Sequence, residues 1–347
     1  MSKSRSTVAL IGGAGYIGSV VARQLLNSGY NVISYDFLVY GCGSGVAPVL
    51  AEGGFSSGGS FTHVFGDLHD SRRLNDVLQA ADIVVILAGL VGDPITKKYP
   101  RESAYVNDVG IQRVIDSVAG HSVRKVVFIS TCSNYGLLPE DVVATEETAL
   151  TPLSLYAASK VNAEKYLLAR RGNVKYSATV LRFATAFGLS PRMRFDLTVN
   201  EFAHALASNQ SLRVFDPDTW RPYCHVKDFA RLIKLVIEDK SGRTDFEVFN
   251  AGGDGNNATK RTITQLIRKH TSLGAIEFAQ NGGDPRNYRV SFKKVRETLG
   301  FLPEYDLEYG IKEVIAATVE GVFLDAVKHP TGFGNYVLEK HLTDVLL

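Results

Sequence analysis

A glycine-rich turn near the start of the chain constrains the fold more than any other feature. It reads Gly-Gly-Ala-Gly-Tyr-Ile-Gly over residues 12–18 and directly follows the short apolar run of residues 7–11. Residues 16–27 then place apolar side chains at helical spacing. A strand, a glycine turn and a helix in this order predict the first βαβ unit of a doubly wound sheet.

The same turn predicts a binding site for a dinucleotide. Its glycines allow a tight turn and a close approach of backbone to pyrophosphate, and the helix N-terminus offers free N–H groups to the phosphates. A second predicted strand, residues 31–35, ends in Asp36. An acid at this spacing binds the ribose hydroxyls of NAD and repels the extra phosphate of NADP, so the predicted cofactor is NAD. The alternative is a turn that binds nothing, with Asp36 capping a loop.

Composition excludes several other classes. The chain has 347 residues, 45% of them apolar, and a formal net charge of +2, which gives no argument for nucleic acid or a membrane as partner. No apolar run is long enough to span a membrane. The three cysteines, Cys42, Cys132 and Cys224, form neither a disulfide framework nor a metal-binding pattern, so no metal is predicted. Without a signal-type apolar stretch at the start, a cytoplasmic location is expected.

Predicted strands and helices alternate to about residue 190, which indicates an α/β fold with a Rossmann-type doubly wound parallel sheet. Short strands mixed with helices follow, and these predict a smaller mixed α/β substrate lobe. The predicted division is a dinucleotide-binding domain over 1–188, with strands contributed up to about 250, an interleaved lobe over 189–330, and a C-terminal tail over 331–347. The predicted strands are 7–11, 31–35, 61–65, 82–87, 125–129, 175–181, 212–215, 247–250 and 275–278. The predicted helices are 16–27, 71–79, 101–119, 156–171, 195–208, 226–239, 262–270 and 307–325, and residues 40–60 are predicted as a loop with a short helix at 46–52.

Tyr156 and Lys160 lie four positions apart on a predicted helix and therefore share one face. The lysine ammonium and an oxidised nicotinamide would both lower the pKa of the phenol. A tyrosinate-like base could then take a proton from a sugar hydroxyl, with Thr131 on the neighbouring strand orienting the substrate. Taken alone, the pair is better interpreted as an ordinary surface pair at helical spacing.

Eight segments in the same order and spacing resemble the nucleotide-sugar epimerase/dehydratase branch of the extended short-chain dehydrogenase/reductase superfamily. The resemblance runs from about residue 8 to residue 324. The matching segments are 12–18, 66–68, 87–89, 107, 130–136, 156–160, 181–188 and 221–228.

This resemblance implies a role for each matching residue and a nucleotide-diphosphate sugar as substrate. Thr131, Tyr156 and Lys160 would form the catalytic set. It also implies a homodimer built through the helices of residues 101–119 and 156–171. The implied cofactor contacts are Gly12, Gly15, Tyr16, Ile17, Gly18, Asp36, Asp67, Leu68, Ala88, Asn107, Ser130, Tyr156, Lys160 and Phe183. The implied substrate contacts are Thr185, Asn200, Val214, Arg221 and Arg286.

Three departures from the family pattern bear on the reaction. Cys132-Ser133 stands where the 4,6-dehydratases carry Asp-Glu, which disfavours dehydration. Some 3,5-epimerising relatives carry a cysteine near this point, so Cys132 is a candidate acid, with an inert buried thiol as the alternative. Thr185 replaces an asparagine common in 4-epimerases, and Gly92-Asp93-Pro94 replaces the usual histidine-bearing loop and is expected to shape the sugar pocket.

The predicted function is an NAD-dependent nucleotide-sugar epimerase that acts through a transient 4-keto sugar. A C4 dehydrogenase or 4-ketoreductase without epimerisation is the first alternative. A non-catalytic dinucleotide-binding sensor is the second. The base and the sugar are not predicted.

Overall fold

The computed structural model of this chain describes residues 5–40, 58–282, 284, 286–326 and 328–338. The short helix predicted at 46–52, Cys42 and the last nine residues of the predicted tail lie outside the described residues.

A seven-stranded parallel sheet forms the centre of the molecule, in the order β11-β7-β5-β4-β1-β2-β3. Its strands are continuous apolar runs, and β1, β4 and β5 are buried along most of their length, as expected for a parallel sheet covered on both faces. The chain winds outward from β1 to β3 and then returns through β4, so the winding reverses between β1 and β4. The Rossmann-type fold class predicted from the sequence is confirmed. These strands are β1 Thr7–Ile11, β2 Asn31–Asp36, β3 Phe61–Phe65, β4 Ile83–Ile86, β5 Lys125–Thr131, β7 Ser177–Phe183 and β11 Glu247–Ala251.

The smaller sheets belong mostly to the lobe that covers the carboxyl edge of the main sheet. They are ordered β12-β10-β8, β13-β9 and β14-β6. Five of their strands, β6, β8, β10, β12 and β14, were not predicted. Pro222 within β10 hides the strand pattern, because proline is rare in strand interiors. These strands are β6 Val143–Ala144, β8 Thr185–Phe187, β9 Leu212–Phe215, β10 Trp220–His225, β12 Asn257–Thr259, β13 Ile276–Ala279 and β14 Arg289–Val290.

The helices cover both faces of the main sheet and build the core of the lobe. They are α1 Tyr16–Asn27, α2 Ser71–Gln79, α3 Asp93–Lys98, α4 Pro100–Ser103, α5 Ile111–Val118, α6 Leu155–Leu168, α7 Thr198–Ala207, α8 Val226–Glu238, α9 Lys260–Arg268, α10 Lys293–Leu299 and α11 Leu307–Val319. None of the helices among these described residues is long and apolar enough to cross a membrane.

Two predicted helices differ from the observed ones. The helix predicted over 101–119 is interrupted by a π-helical segment, Ala104–Gly110, between α4 and α5. Gly110 packs so closely that a Cβ there would lie 2.9 Å from Leu68 Cδ1. The helix predicted over 307–325 ends at Val319, and Gly321 just beyond it has a positive φ of 78°, which stops a helix.

The last described segment, residues 328–338, crosses from the lobe back to the main sheet. The backbone N–H of Phe195 donates to the carbonyl of Phe333 at 2.7 Å. The side-chain amide of Asn335 donates to the carbonyl of Val91 at 3.0 Å. We call residues 328–338 the terminal strap, because they connect the lobe to the loop that follows β4.

Candidate active site

A cleft of about 480 Å³ opens at the carboxyl ends of the central strands, where the winding of the sheet reverses. Ligands of doubly wound sheets bind at this kind of position. Most of the residues implied by the sequence resemblance line it. They are Gly12, Gly15, Tyr16, Ile17, Gly18, Asp36, Asp67, Leu68, Ala88, Ser130, Thr131, Tyr156, Lys160, Phe183, Thr185, Arg221 and Arg286.

The glycines of the turn face two different environments. Gly12 has a φ of +90°, and a Cβ there would lie 2.6 Å from the backbone nitrogen of Ala88. A Cβ on Gly18 would lie 2.5 Å from the carbonyl oxygen of Gly12, so both positions are fixed by the packing of the chain itself. Gly15 is different, because a Cβ there would meet only the Gly12 oxygen at 3.5 Å, an ordinary contact.

The N-terminus of α1 points into the cleft at Gly15, and no side chain of the described residues caps it. Free N–H groups and an open glycine surface suit a pyrophosphate lying against the turn. The residues present therefore fit the dinucleotide that the sequence predicts.

Asp36 ends β2 at the edge of the cleft. Its carboxylate oxygens accept hydrogen bonds from the backbone N–H groups of Ala14, at 3.0 Å, and of Leu38, at 2.8 Å. Burial raises the pKa of Asp36, and these two donors oppose that shift. The carboxylate is thus fixed beside the glycine turn while each oxygen keeps a second lone pair for a ribose hydroxyl.

Tyr156 and Lys160 lie on α6 at the floor of the cleft, and the hydroxyl of Ser154 caps this helix by accepting from the N–H of Ala157. The Lys160 ammonium donates to the carbonyl of Ile129 at 2.8 Å and lies 6.0 Å from the centre of the Tyr156 ring. Thr131 lines the same cleft, and its side chain opposes the rise in the pKa of the Tyr156 phenol. The sequence-predicted set of three residues therefore meets at one place.

Burial acts oppositely on the two titrating groups of this set. It raises the pKa of the Tyr156 phenol, and it lowers the pKa of Lys160 from 10.5 to about 8. Lys160 is therefore cationic at neutral pH, and Tyr156 is a neutral phenol. A further positive charge in the cleft, such as an oxidised nicotinamide, would favour the tyrosinate.

A second group of charges lies on the lobe wall of the cleft, and we call Arg221, Asp284 and Arg286 the cleft cluster. Asp284 Oδ2 lies 3.1 Å from Arg221 Nη2 and 2.8 Å from Arg286 Nη2. Burial alone would raise the pKa of Asp284, but the hydrogen bonds of Arg286 and the charge of Arg221 lower it overall. The Asp284 side chain remains 37% exposed, so this cluster is open to the cleft.

The enclosed cluster lies beneath the floor of the cleft and consists of Arg182, Glu164, Ser130 and Asn134. Arg182 Nη2 lies 2.8 Å from Glu164 Oε2, and the Ser130 hydroxyl and the Asn134 amide both donate to Glu164 Oε1. The two charged side chains are only 6% and 2% exposed. Arg182 ends a sheet strand, yet its guanidinium is turned toward this buried network and does not line the cleft.

Four of the implied site residues are not brought into the cleft lining. Cys132 is turned away because its thiol donates to the carbonyl of Arg182 at 3.1 Å, and burial raises its pKa. The geometry therefore places it away from the substrate, against the catalytic role considered for it. Val214 lies in the apolar core of the lobe.

The remaining two are buried asparagines that hold backbone rather than a ligand. Asn107 accepts from the N–H of Leu90 at 2.8 Å and fixes the loop after β4. Asn200 accepts from the N–H of Gly188 at 2.9 Å and donates to the carbonyl of Arg194 at 3.0 Å. Their place in the site is indirect, since they position cleft segments.

Sequence reasoning missed several residues of the cleft wall. Arg194 lines it and pairs with Asp196 at 2.5 Å. Arg192 also lines it and donates to Asn335 Oδ1 in the terminal strap at 2.8 Å. The run Arg-Met-Arg at 192–194 was a usable signal, because it places two cationic side chains a few residues beyond the end of β8. Nothing in the sequence of the strap indicated that Asn335 and Tyr336 line the cleft.

Comparisons with known proteins agree with this geometry. The sequence profile of the NAD dependent epimerase/dehydratase family matches residues 8–252. A UDP-glucose 4-epimerase of Lacticaseibacillus casei is 27% identical over 354 aligned positions, which cover 95% of this chain and 99% of that protein. A UDP-glucose 4-epimerase of Rhizobium leguminosarum bv. trifolii is 28% identical, with 87% and 94% covered.

Among solved structures, MoeE5 in complex with UDP-glucuronic acid and NAD superposes with a TM-score of 0.78 at 26% identity. The match covers 91% of this chain and 99% of that one. The resemblance predicted from the sequence, with NAD as cofactor, is confirmed. A cleft with a glycine turn, an acid and a Thr-Tyr-Lys set, together with a family match over most of the chain, establishes that the protein is an NAD-dependent enzyme of the NAD dependent epimerase/dehydratase family.

Proposed function

We propose that this enzyme is a nucleotide-sugar 4-epimerase acting through a transient 4-keto sugar. The observation that carries the proposal is that Thr131, Tyr156 and Lys160 line one cleft beside the glycine turn, with the Lys160 ammonium 6.0 Å from the centre of the Tyr156 ring. Relatives named as UDP-glucose 4-epimerases, matched along most of this chain, support it.

Each residue of the catalytic set has its own proposed role. Tyr156 takes the proton of the C4 hydroxyl and later returns it, while Thr131 orients that hydroxyl. Lys160 stabilises the tyrosinate through its positive charge. When bound, NAD supplies the chemistry of accepting and returning hydride at C4. Gly12, Gly15 and Asp36 hold this cofactor on the sheet side.

On the lobe side, the cleft cluster is proposed to hold the diphosphate of the substrate. Arg221 is 6% exposed but lines the cleft, and its guanidinium is fixed by the carbonyl of Trp220 at 2.8 Å. A fixed guanidinium fork suits phosphate oxygens. Thr185 lines the same cleft and is proposed to contact the sugar.

The central test is a Tyr156→Phe variant assayed for interconversion of UDP-glucose and UDP-galactose. Loss of the general base should lower kcat about 10²- to 10⁴-fold while NAD binding is retained. Tyr166→Phe is the matched control, because Tyr166 lies on the same helix but bonds Asp116 at the surface. Full activity of Tyr156→Phe would refute the proposed role.

The same assay separates the alternatives. An epimerase forms product with no net accumulation of NADH, whereas a C4 dehydrogenase or 4-ketoreductase changes the NADH absorbance in step with turnover. A non-catalytic sensor would bind NAD and turn over no nucleotide sugar, and the family assignment as an enzyme stands against it.

We also propose a homodimer and a cytoplasmic location. Exposed apolar residues on the implied dimer helices support the dimer, since Val109 and Leu155 are 53% exposed. Light scattering on the purified protein tests it, and a monomeric mass would refute it. Cys132 and Cys224 are free thiols, as expected in a reducing compartment, and cell fractionation tests the location.

A further inference from the structure

Among the described acids that line the cleft, Asp93 is the one with an oxygen that is both buried and without a hydrogen-bond partner. It begins α3, in the loop after β4, and lines the cleft. Its Oδ2 lies 3.2 Å from Arg286 Nη2. Its Oδ1 is shielded from solvent and has no hydrogen-bond partner among the described residues.

The neighbouring acids of the cleft are already fully engaged. Both oxygens of Asp284 accept from Arg286, and both oxygens of Asp196 accept from Arg194. Leaving a buried carboxylate oxygen without a donor is unfavourable, because no hydrogen bond offsets the loss of its hydration. A ligand that brings a donor to Asp93 would remove this cost.

Asp93 lies at the reacting end of the cleft. The negative charge of Asp93 contributes to raising the pKa of the Tyr156 phenol, and the charge of Arg286 opposes it. Arg286 also approaches Ser133, which directly follows the catalytic strand, with 3.4 Å between Nη1 and Oγ. Asp93 therefore lies on the side of the cleft where the proposed function requires the sugar.

From this arrangement we propose that Asp93 selects the sugar. Its Oδ1 accepts a hydrogen bond from a hydroxyl of a neutral sugar ring, and its charge disfavours a sugar that carries a carboxylate. The proposal rests on the proposed function and adds the substrate class to it. Arg286 acts as the positioning residue, because its guanidinium holds Oδ2 and so aims Oδ1 at the sugar.

Charge explains why a uronate would fit poorly at this point. A sugar carboxylate would bring a second anion beside Asp93 and a carboxylate offers no proton to donate at neutral pH. The guanidiniums of Arg194 and Arg286 are already paired with Asp196 and Asp284, so a sugar carboxylate would have to compete with these aspartates as well as approach Asp93.

The test compares UDP-glucose and UDP-glucuronic acid as substrates of the NAD-loaded enzyme. The wild type should show a kcat/KM at least about tenfold higher for UDP-glucose, corresponding to one buried hydrogen bond and the avoided repulsion. Asp93→Ala should lower kcat/KM for UDP-glucose about tenfold and bring the ratio of the two substrates close to one.

Two further variants keep the test independent of folding. Asp93→Asn keeps the size and an acceptor oxygen, so it should retain most activity on UDP-glucose while its rejection of UDP-glucuronic acid weakens. Glu297→Ala removes an exposed acid on α10, paired with Lys293 far from the cleft lining, and should leave the ratio unchanged.

The outcomes distinguish this proposal from the one it rests on. A wild-type enzyme that prefers UDP-glucuronic acid, or an Asp93→Ala variant with an unchanged substrate ratio, overturns the role of Asp93 alone. A folded, NAD-binding wild-type enzyme that turns over neither substrate overturns the proposed function as well.

Discussion

The enclosed cluster and the cleft cluster both pair arginine with a carboxylate, but the first is buried and the second is open to the cleft. In the enclosed cluster, Glu164 receives donors on both oxygens and is 2% exposed. In the cleft cluster, Asp284 joins two arginines but stays 37% exposed. Both lie close to the same catalytic helix and strand end.

The difference lies in what each guanidinium faces. The Arg182 guanidinium donates hydrogen bonds to Glu164, Tyr135 and the carbonyl of Glu146. It therefore presents no surface to a ligand. Arg221 and Arg286 line the cavity, where an anion can compete with Asp284. An arginine near the cleft can therefore reach a ligand only where its own carboxylate partner is also open to the cleft.

The largest expected effect is on the enclosed cluster. Glu164→Ala leaves Arg182 as a buried charge without its carboxylate, and should lower the free energy of unfolding by about 3–5 kcal/mol. Urea unfolding followed by circular dichroism measures it. Glu247→Ala, which removes an acid from the exposed pairs with Lys294 and Arg171, should cost at most about 1 kcal/mol. Equal losses in the two variants would show that enclosure is not what makes Glu164 structural.

Lys160 extends the comparison, because it is a buried cation that forms no ion pair with a carboxylate among the described residues. Its pKa falls from 10.5 to about 8 on folding through burial, so its charge destabilises the folded protein. Lys160→Met should raise the free energy of unfolding by about 2 kcal/mol at pH 7, after the lost hydrogen bond is allowed for, and should abolish turnover.

The stabilisation by Lys160→Met should decrease as the pH rises. Between pH 8 and 10.5, Lys160 is protonated in the unfolded chain and deprotonated in the folded chain. The titration of Lys160 therefore increases the free energy of unfolding of the wild type as the pH rises. The advantage of Lys160→Met should therefore be full below pH 8 and shrink toward pH 10.5. An advantage that stays constant across this range would exclude the titration of Lys160 as its origin.

Gly15 and Gly18 allow the same comparison in the backbone, because Gly18 is packed inside the fold and Gly15 is open to the cleft. Gly18→Ser forces a Cβ to within 2.5 Å of the Gly12 oxygen and should destabilise the fold by about 1–3 kcal/mol. Gly15→Ser meets no such obstacle and keeps a good helix cap, so stability should hold. NAD affinity should instead fall about tenfold, because the side chain occupies the pyrophosphate side of the turn. Calorimetric titration with NAD and thermal unfolding together measure both; unchanged affinity of Gly15→Ser would contradict this assignment.

The smallest expected effect is on the cleft cluster. Arg221→Lys keeps the charge and loses the fork, so KM for the nucleotide sugar should rise about three- to tenfold with kcat nearly unchanged. Stability should change by less than about 1 kcal/mol, since Asp284 keeps Arg286 as a partner. A fall in kcat without a change in KM would place Arg221 in the reacting part of the site.

The sheet side of the cleft was predictable from the sequence because its residues sit at the ends of apolar strands with fixed spacing. Gly12, Asp36 and Thr131 follow strands whose pattern is plain, and Tyr156 and Lys160 share a helix face. The lobe side was less predictable, because whether Asn200 or Val214 reaches the cleft depends on how the lobe packs. Asp93 drew attention only as a departure from the family pattern, and its unpaired oxygen is visible only in three dimensions.

The terminal strap has a consequence for the order in which the protein is made. Asn335 and Tyr336 complete the cleft wall, yet they leave the ribosome after every strand of the sheet. The dinucleotide side can form on the nascent chain, because its elements are made first. The cleft wall is complete only when the strap has been synthesised and has docked on Val91 and Arg192, so a stalled translation product would lack a finished site.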